Sequence, residues 1–94
     1  SGDYWRALAE AEYFVGNIVS SIEAYREASY YTPQNVKVWL DWSFILYEQG
    51  NTDKAIELIQ TGLEDIPEQA DLLYRLTAYL ISQGKYKQAF KHLE

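Results

Sequence analysis

The sequence lacks residue types that many active sites require. It has no cysteine among its 94 residues, which excludes disulfide bonds, thiolate nucleophiles and cysteine-based metal sites. His92 is the single histidine, so zinc sites built on histidine pairs and nucleophile–histidine–acid triads are excluded as well. The absence of cysteine favours a cytoplasmic protein, although it also fits a periplasmic one.

Long apolar runs and positive charge are also scarce. No apolar run approaches the roughly 20 residues of a membrane span, so we expect no membrane insertion. Eight basic residues stand against fourteen acidic ones, for a net charge of −6, which argues against a nucleic-acid partner because phosphates are bound by Lys and Arg. The sequence has no methionine either, and we therefore expect it to be an excerpt of a longer protein or a processed product.

The chain repeats itself with a period of 34 residues. Gly16, Gly50 and Gly84 keep this spacing, and Pro33 and Pro67 keep it too. Five further columns share the phase, namely Trp5, Trp39 and Leu73; Leu8, Trp42 and Leu76; Ala9, Ser43 and Thr77; Ser21, Ala55 and Ala89; and Tyr25, Ile59 and Leu93. The period predicts one domain over residues 1–94, made of units at about 2–35, 36–69 and 70–94, the last of them incomplete. Because no polar capping helix follows the last unit, we expect the chain to be part of a longer array.

Within each unit the apolar residues follow the 3.6-residue period of an α-helix. The middle unit predicts a helix from about Val36 to the break at Gly50, and a second helix with Thr52 as its N-cap. The first unit predicts helices that end near residues 15 and 31, and the third predicts a helix over about 69–83 with another after Gly84. No alternating strand pattern is present. The sequence therefore predicts an all-α fold of three stacked antiparallel helical hairpins, the last truncated.

Two columns of small residues indicate where the helices of each hairpin touch. Antiparallel helices approach closely only where side chains are small, so the first helices are expected to meet the second helices at one set of pairs: Ala9 with Ser21, Ser43 with Ala55, and Thr77 with Ala89. Large residues, including Trp5, Trp39 and Trp42, are expected to fill the core between hairpins, because a single hairpin of a repeat protein buries only one face.

The order of these residues resembles the tetratricopeptide repeat. The middle unit matches the family's pattern best, through Trp39, Trp42, Ser43, Leu46, Gly50, Ala55, Ile59, Gly62 and Pro67. The first unit departs from the pattern at Glu12, which occupies a slot that resembles a tyrosine position. The resemblance implies a right-handed superhelical segment that acts as a protein-interaction module. It also implies that the first helices of successive hairpins line a concave groove for an extended or helical peptide.

By that resemblance, the groove combines aromatic rings with charged groups. The candidate peptide-binding residues are Arg6, Glu10, Tyr13, Leu40, Asp41, Phe44, Tyr47, Asp71, Tyr74 and Arg75. One variety of the family clamps the terminal carboxylate of chaperone tails with Lys, Asn and Arg. Three of the matching slots are acidic here, at Glu10, Asp41 and Asp71, so we expect an apolar or basic peptide or protein partner instead.

Several alternatives stay open. The aromatic rings could be packing between helices, and the domain could be a spacer in a larger scaffold. Copies could also associate through their repeat ends, where Phe90 and Leu93 lack a next neighbour. Catalysis is not expected, and neither is a cofactor or metal, because the sequence has no nucleophile–base pair, glycine-rich phosphate loop or metal-ligand spacing.

Overall fold

The computed structural model describes residues 1–91, which form six α-helices and, within that range, no strand. The first hairpin consists of α1 (Gly2–Phe14) and α2 (Ile18–Tyr31), the second of α3 (Val36–Glu48) and α4 (Thr52–Asp65), and the third of α5 (Ala70–Ser82) and α6 (Tyr86–Lys91). Each helix contacts its hairpin partner, and neighbouring hairpins contact each other. The predicted all-α fold of stacked hairpins is confirmed. The predictions that concern His92 and Leu93 lie outside the described residues.

The breaks between the paired helices depend on glycine. Gly16, Gly50 and Gly84 have φ values of 90°, 82° and 75°, a left-handed conformation that costs other residues about 1 kcal/mol. The prediction that Thr52 caps α4 is wrong, because Asn51 is the N-cap and Thr52 is the first helical residue. The Asn51 carbonyl already accepts the amide of Ala55 at 3.1 Å, so helical hydrogen bonding begins one residue earlier than predicted.

The six small residues predicted at the helix crossings are all buried: Ala9, Ser21, Ser43, Ala55, Thr77 and Ala89. Contacts between predicted pairs are seen for Ala9 with Ser21 and for Thr77 with Ala89. A hydroxyl at such a crossing needs a hydrogen-bond partner, because water is excluded there. The Ser21 hydroxyl donates to the carbonyl oxygen of Ala9 at 2.7 Å. The first hairpin therefore accommodates a polar residue without leaving it unsatisfied.

Trp39 and Trp42 are core residues, as predicted, and are 4% and 8% exposed. Their rings stack with centroids 6.0 Å apart. The Trp39 Nε1 donates to the Pro33 carbonyl at 2.7 Å, which ties the ring to the loop before α3. The ring also lies directly over Gly62, where a Cβ atom would come within 2.8 Å of the Trp39 Cγ. In the middle hairpin, the large Trp39 ring on α3 can therefore pack against α4 because Gly62 has no side chain there.

Trp5 corrects the prediction that all three tryptophans are core residues, because it is only half-buried. Together with Leu8 and Glu12 it lines an open depression of about 520 Å³. The equivalent depression on the second hairpin, of about 350 Å³, is lined in part by Ile22 and Arg26 of α2. The preceding hairpin thus covers this side of the second hairpin, whereas no helix within residues 1–91 covers the side that carries Trp5.

Candidate functional site

The ten predicted contact residues lie on the first helices of the three hairpins, α1, α3 and α5. Helical spacing of three or four residues places the predicted residues of each helix on one side. We call the surface formed by these residues the first-helix face. It contains two pockets, one between the first and second hairpins and one between the second and third.

The first pocket has a volume of about 250 Å³ and lies between α1 and α3. It is lined by Glu10, Tyr13, Phe14, Tyr25, Asp41, Phe44 and Ile45. Phe14 and Phe44 are 90% and 42% exposed, whereas Tyr25 is 3% exposed. The pocket therefore has accessible aromatic walls and a buried tyrosine among its lining residues.

The second pocket has a volume of about 180 Å³ and lies between α3 and α5. It is lined by Phe44, Tyr47, Arg75, Ala78 and Tyr79. The guanidinium carbon of Arg75 lies 6.0 Å from the Phe44 ring centroid and 5.9 Å from that of Tyr79, within the range of a cation–π interaction. Aromatic rings on both sides therefore hold this guanidinium at the pocket.

Charge in the first pocket centres on Asp41. Burial raises the pKa of the Asp41 carboxyl above its ordinary value, and the nearby Glu10 raises it further. Lys37, Arg6 and Arg75 act on this pKa in the opposite direction. Glu10 itself forms an ion pair with Arg6 at 2.7 Å. Asp41 is thus a partly buried carboxyl that ionises less readily than an exposed one.

Two tyrosines of the face also join neighbouring hairpins. The Tyr13 hydroxyl donates to a Glu48 carboxylate oxygen at 2.5 Å, which ties α1 to α3. This hydrogen bond is the main reason why the pKa of Tyr13 is raised. The Tyr47 ring stacks on the Tyr79 ring, with centroids 4.9 Å apart. Tyr13 and Tyr47 therefore contribute to hairpin packing as well as to the pockets.

Four predicted residues line neither pocket. Leu40 packs against the core, Arg6 pairs with Glu10, and Asp71 and Tyr74 are exposed, Tyr74 to 74%. Of the four aromatic residues predicted for the groove, Tyr13, Phe44 and Tyr47 therefore border the pockets and Tyr74 does not.

Five pocket residues are not among the ten predicted ones, namely Phe14, Tyr25, Ile45, Ala78 and Tyr79. Two of these five are tyrosines, Tyr25 and Tyr79. Both are 3% exposed and both line a pocket. Tyr25 belongs to an apolar column of the second helices, which predicts burial and says nothing about a pocket. Tyr79 lies one period after Ile45. The replacement of an aliphatic side chain by a tyrosine at this repeat position was the signal in the sequence that could have indicated a pocket residue.

Metal ligands and membrane spans can be assessed for residues 1–91. In that part of the chain no cluster of three or more acidic or histidine side chains could hold a metal ion. None of the helices described is at once long enough and apolar enough to cross a bilayer. The groups that the two pockets present for noncovalent contacts are aromatic rings, the Asp41 carboxylate and the Arg75 guanidinium.

Stacked helical hairpins with a fixed sequence period define a helical-repeat protein. A family model described as tetratricopeptide repeat matches residues 15–80, which is more than half of the chain. The chain belongs to the tetratricopeptide repeat family.

Solved structures agree with this fold. One, titled "Crystal structure of MamA", is 17% identical to this chain with a TM-score of 0.83, and the match covers 98% of this chain and 54% of that one. Another, "Crystal structure of MamA protein", is 17% identical with a TM-score of 0.82, over 99% of this chain and 51% of that one. The chain spans about half the length of these proteins, and the likeness concerns the fold. A search of curated proteins found no match.

Proposed function

We propose that the first-helix face is a concave groove that binds a peptide segment of a partner protein. The family and the fold are those of a protein-interaction module. The observation that carries the proposal is the pair of pockets between the first helices, which are walled by accessible aromatic rings. Such rings bury much surface area with few rotatable bonds, and for that reason they dominate many binding hot spots.

The carboxylates of the first-helix face limit the kind of peptide that can bind there. Glu10, Asp41 and Asp71 place carboxylates where a clamp for a terminal carboxylate needs cations and amides. A free peptide C-terminus would be repelled there, because like charges at an interface disfavour binding. We therefore propose an apolar or basic segment as the partner and a non-catalytic role for the domain.

Phe44 is the residue that tests this proposal, because it lines both pockets. Peptides selected from a random library against the 94-residue chain are titrated with the wild type and with Phe44→Ala. The variant should lose about tenfold or more in affinity. Tyr30→Ala is the matched control, since Tyr30 is 83% exposed on α2 and lines neither pocket. Selected peptides that bind Phe44→Ala with full affinity would place their site elsewhere.

A second candidate function is end-to-end association, which the half-buried Trp5 favours. Trp5 and Leu8 line a depression that a neighbouring hairpin covers at the equivalent place of the second hairpin. Phe90 is exposed on the last helix of the described chain. A second copy, or another repeat unit, could bury these side chains. If peptide selection yields no binder from a folded chain, the role of structural spacer gains support.

A further inference from the structure

The two pockets of the first-helix face occupy equivalent places in the repeat. Each residue that lines the second pocket lies 34 positions after a residue that lines the first: Phe44, Tyr47, Arg75, Ala78 and Tyr79 follow Glu10, Tyr13, Asp41, Phe44 and Ile45. The two pockets therefore occupy equivalent positions in successive repeats and differ in the side chains that line them.

The charge at this position changes sign from one pocket to the next. Asp41 of the first pocket is replaced by Arg75 in the second, and both side chains are half-buried. Neither forms an ion pair within residues 1–91, where the ion pair observed is Arg6 with Glu10. Because Arg6 neutralises Glu10, Asp41 supplies the excess charge of the first pocket.

A tyrosine hydroxyl adds to the polar character of the first pocket. Tyr25 is 3% exposed and lines this pocket. Its phenol oxygen can accept a hydrogen bond from the ammonium or guanidinium of a bound basic side chain.

We propose that the two pockets hold side chains of opposite charge from one bound peptide. The first pocket takes a lysine or arginine beside Asp41, and the second takes an aspartate or glutamate beside Arg75. This inference rests on the proposed function and names the chemistry of the partner segment. An internal acidic side chain differs from a free C-terminus, because it can face Arg75 while the backbone passes Asp41 and Asp71.

The spacing of the pockets sets the spacing of the two charges. Packed helices lie about 8–10 Å apart, and one helix, α3, separates the first pocket from the second. A peptide in the polyproline II conformation has three residues per turn and rises about 3.1 Å per residue, so side chains three positions apart share one side and are separated by about 9 Å. The preferred ligand therefore carries its basic and acidic residues three positions apart.

Four synthetic peptides and the 94-residue chain test this inference. The peptides share one alanine and proline background and differ at two positions three residues apart. Two carry lysine and glutamate in either order, one carries two lysines, and one carries two glutamates. The wild type should bind at least one mixed peptide about fivefold more tightly than both like-charged peptides, as measured by fluorescence anisotropy.

Variants of the second pocket make the test specific. Arg75→Glu makes both pockets acidic, so the preference should move to the peptide with two lysines. Arg75→Gln removes the charge and should weaken the preference without reversing it. Glu64→Gln is the matched control and should change nothing, since Glu64 is exposed on α4 and lines neither pocket. Circular dichroism melts confirm that each variant is folded.

Two outcomes would overturn the charge proposal alone. In one, the wild type binds all four peptides equally well; in the other, a folded Arg75→Glu variant keeps the wild-type preference. If none of the four peptides binds, the charge proposal also fails. The proposed function then still stands if library-selected peptides lose affinity for Phe44→Ala, and it falls together with the charge proposal if they do not.

Discussion

The ring of Tyr47 on α3 is stacked on the ring of Tyr79 on α5, with their planes inclined by 22°. The Tyr79 hydroxyl lies 3.2 Å from the Ser43 hydroxyl and accepts a hydrogen bond from Arg75 at 3.4 Å. The pair therefore joins the second and third hairpins through both aromatic and polar contacts. Tyr47 therefore stabilises the packing between hairpins in addition to lining a pocket of the first-helix face. Phe44, which also lines that pocket, has no such stacked partner within residues 1–91.

Stability measurements should separate these two rings. Tyr47→Ala removes the stacked pair, and we expect it to lower the free energy of unfolding by about 1–3 kcal/mol. Phe44→Ala should lower it by less than about 1 kcal/mol, since Phe44 is 42% exposed. Urea denaturation of both variants checks this difference. Equal losses would mean that Phe44 is as structural as Tyr47, and its use as a probe of binding would then be compromised.

Asp41→Asn should stabilise the domain at neutral pH. Because the pKa of Asp41 is raised in the folded state, the stability contributed by this group is full below its unfolded pKa and is lost as pH rises through the folded pKa. Asparagine stays neutral, so its advantage should be present at pH 7 and fade towards pH 3. We expect about a few tenths of a kcal/mol, because solvent screens this half-exposed group.

Denaturation at a series of pH values measures this effect. Glu64→Gln is the control, because it removes one carboxylate from an exposed side chain on α4. The same Asp41→Asn variant should bind the mixed-charge peptides more weakly, since it removes the unpaired carboxylate. A stability gain that is independent of pH would contradict the electrostatic explanation.

Gly62→Ala should destabilise the middle hairpin although alanine is the better helix former. The added Cβ would lie 2.8 Å from the Trp39 Cγ, and overpacking of this kind costs about 1–3 kcal/mol. Helix propensity returns about 1 kcal/mol, so we expect a net loss near 1 kcal/mol in thermal denaturation. Thr61→Ala, at the exposed neighbouring position, should be nearly neutral. A stabilised Gly62→Ala variant would show that the Trp39 ring can move aside.

At position 21, the size of the side chain should affect the stability of the domain more than its polarity does. Ser21→Ala loses the hydrogen bond to Ala9 but keeps the close helix contact, so its effect should stay within about 1 kcal/mol. Ser21→Val adds volume to a residue that is 0% exposed, and we expect it to lower stability by about 1–3 kcal/mol. Chemical denaturation of the two variants distinguishes the cases, and similar losses for both would argue that the hydrogen bond is the important feature.

End-to-end association makes a separate prediction. If copies stack through the side that carries Trp5, sedimentation velocity should show a mass that grows with concentration, and Trp5→Lys should abolish the growth. Phe44→Ala should leave it unchanged, because Phe44 lines the first-helix face instead. A wild-type chain that stays monomeric into the high micromolar range would exclude this association.

The errors of the sequence analysis have local and non-local causes. The N-cap of α4 was misplaced by one residue, because Asn51 and Thr52 are both good capping residues and the turn after Gly50 decides between them. The half-burial of Trp5 has a different cause. Its column in the repeat is identical to that of Trp39, but only Trp39 is covered by a preceding loop, through Pro33. A repeat pattern predicts equal environments only where equal neighbours are present.

The 34-residue period and the helical spacing of apolar residues were enough to predict six helices and their pairing, and the residue types at the repeated positions carried the resemblance to the family. Glycine at the breaks and small residues at the crossings are local steric requirements, which the residue types express directly. The opposite charges of the two equivalent pockets, the stacking of Tyr47 on Tyr79 and the partial burial of Asp41 required the folded chain. These features arise where different hairpins meet, and burial there depends on which side chains the packing brings together from distant parts of the chain.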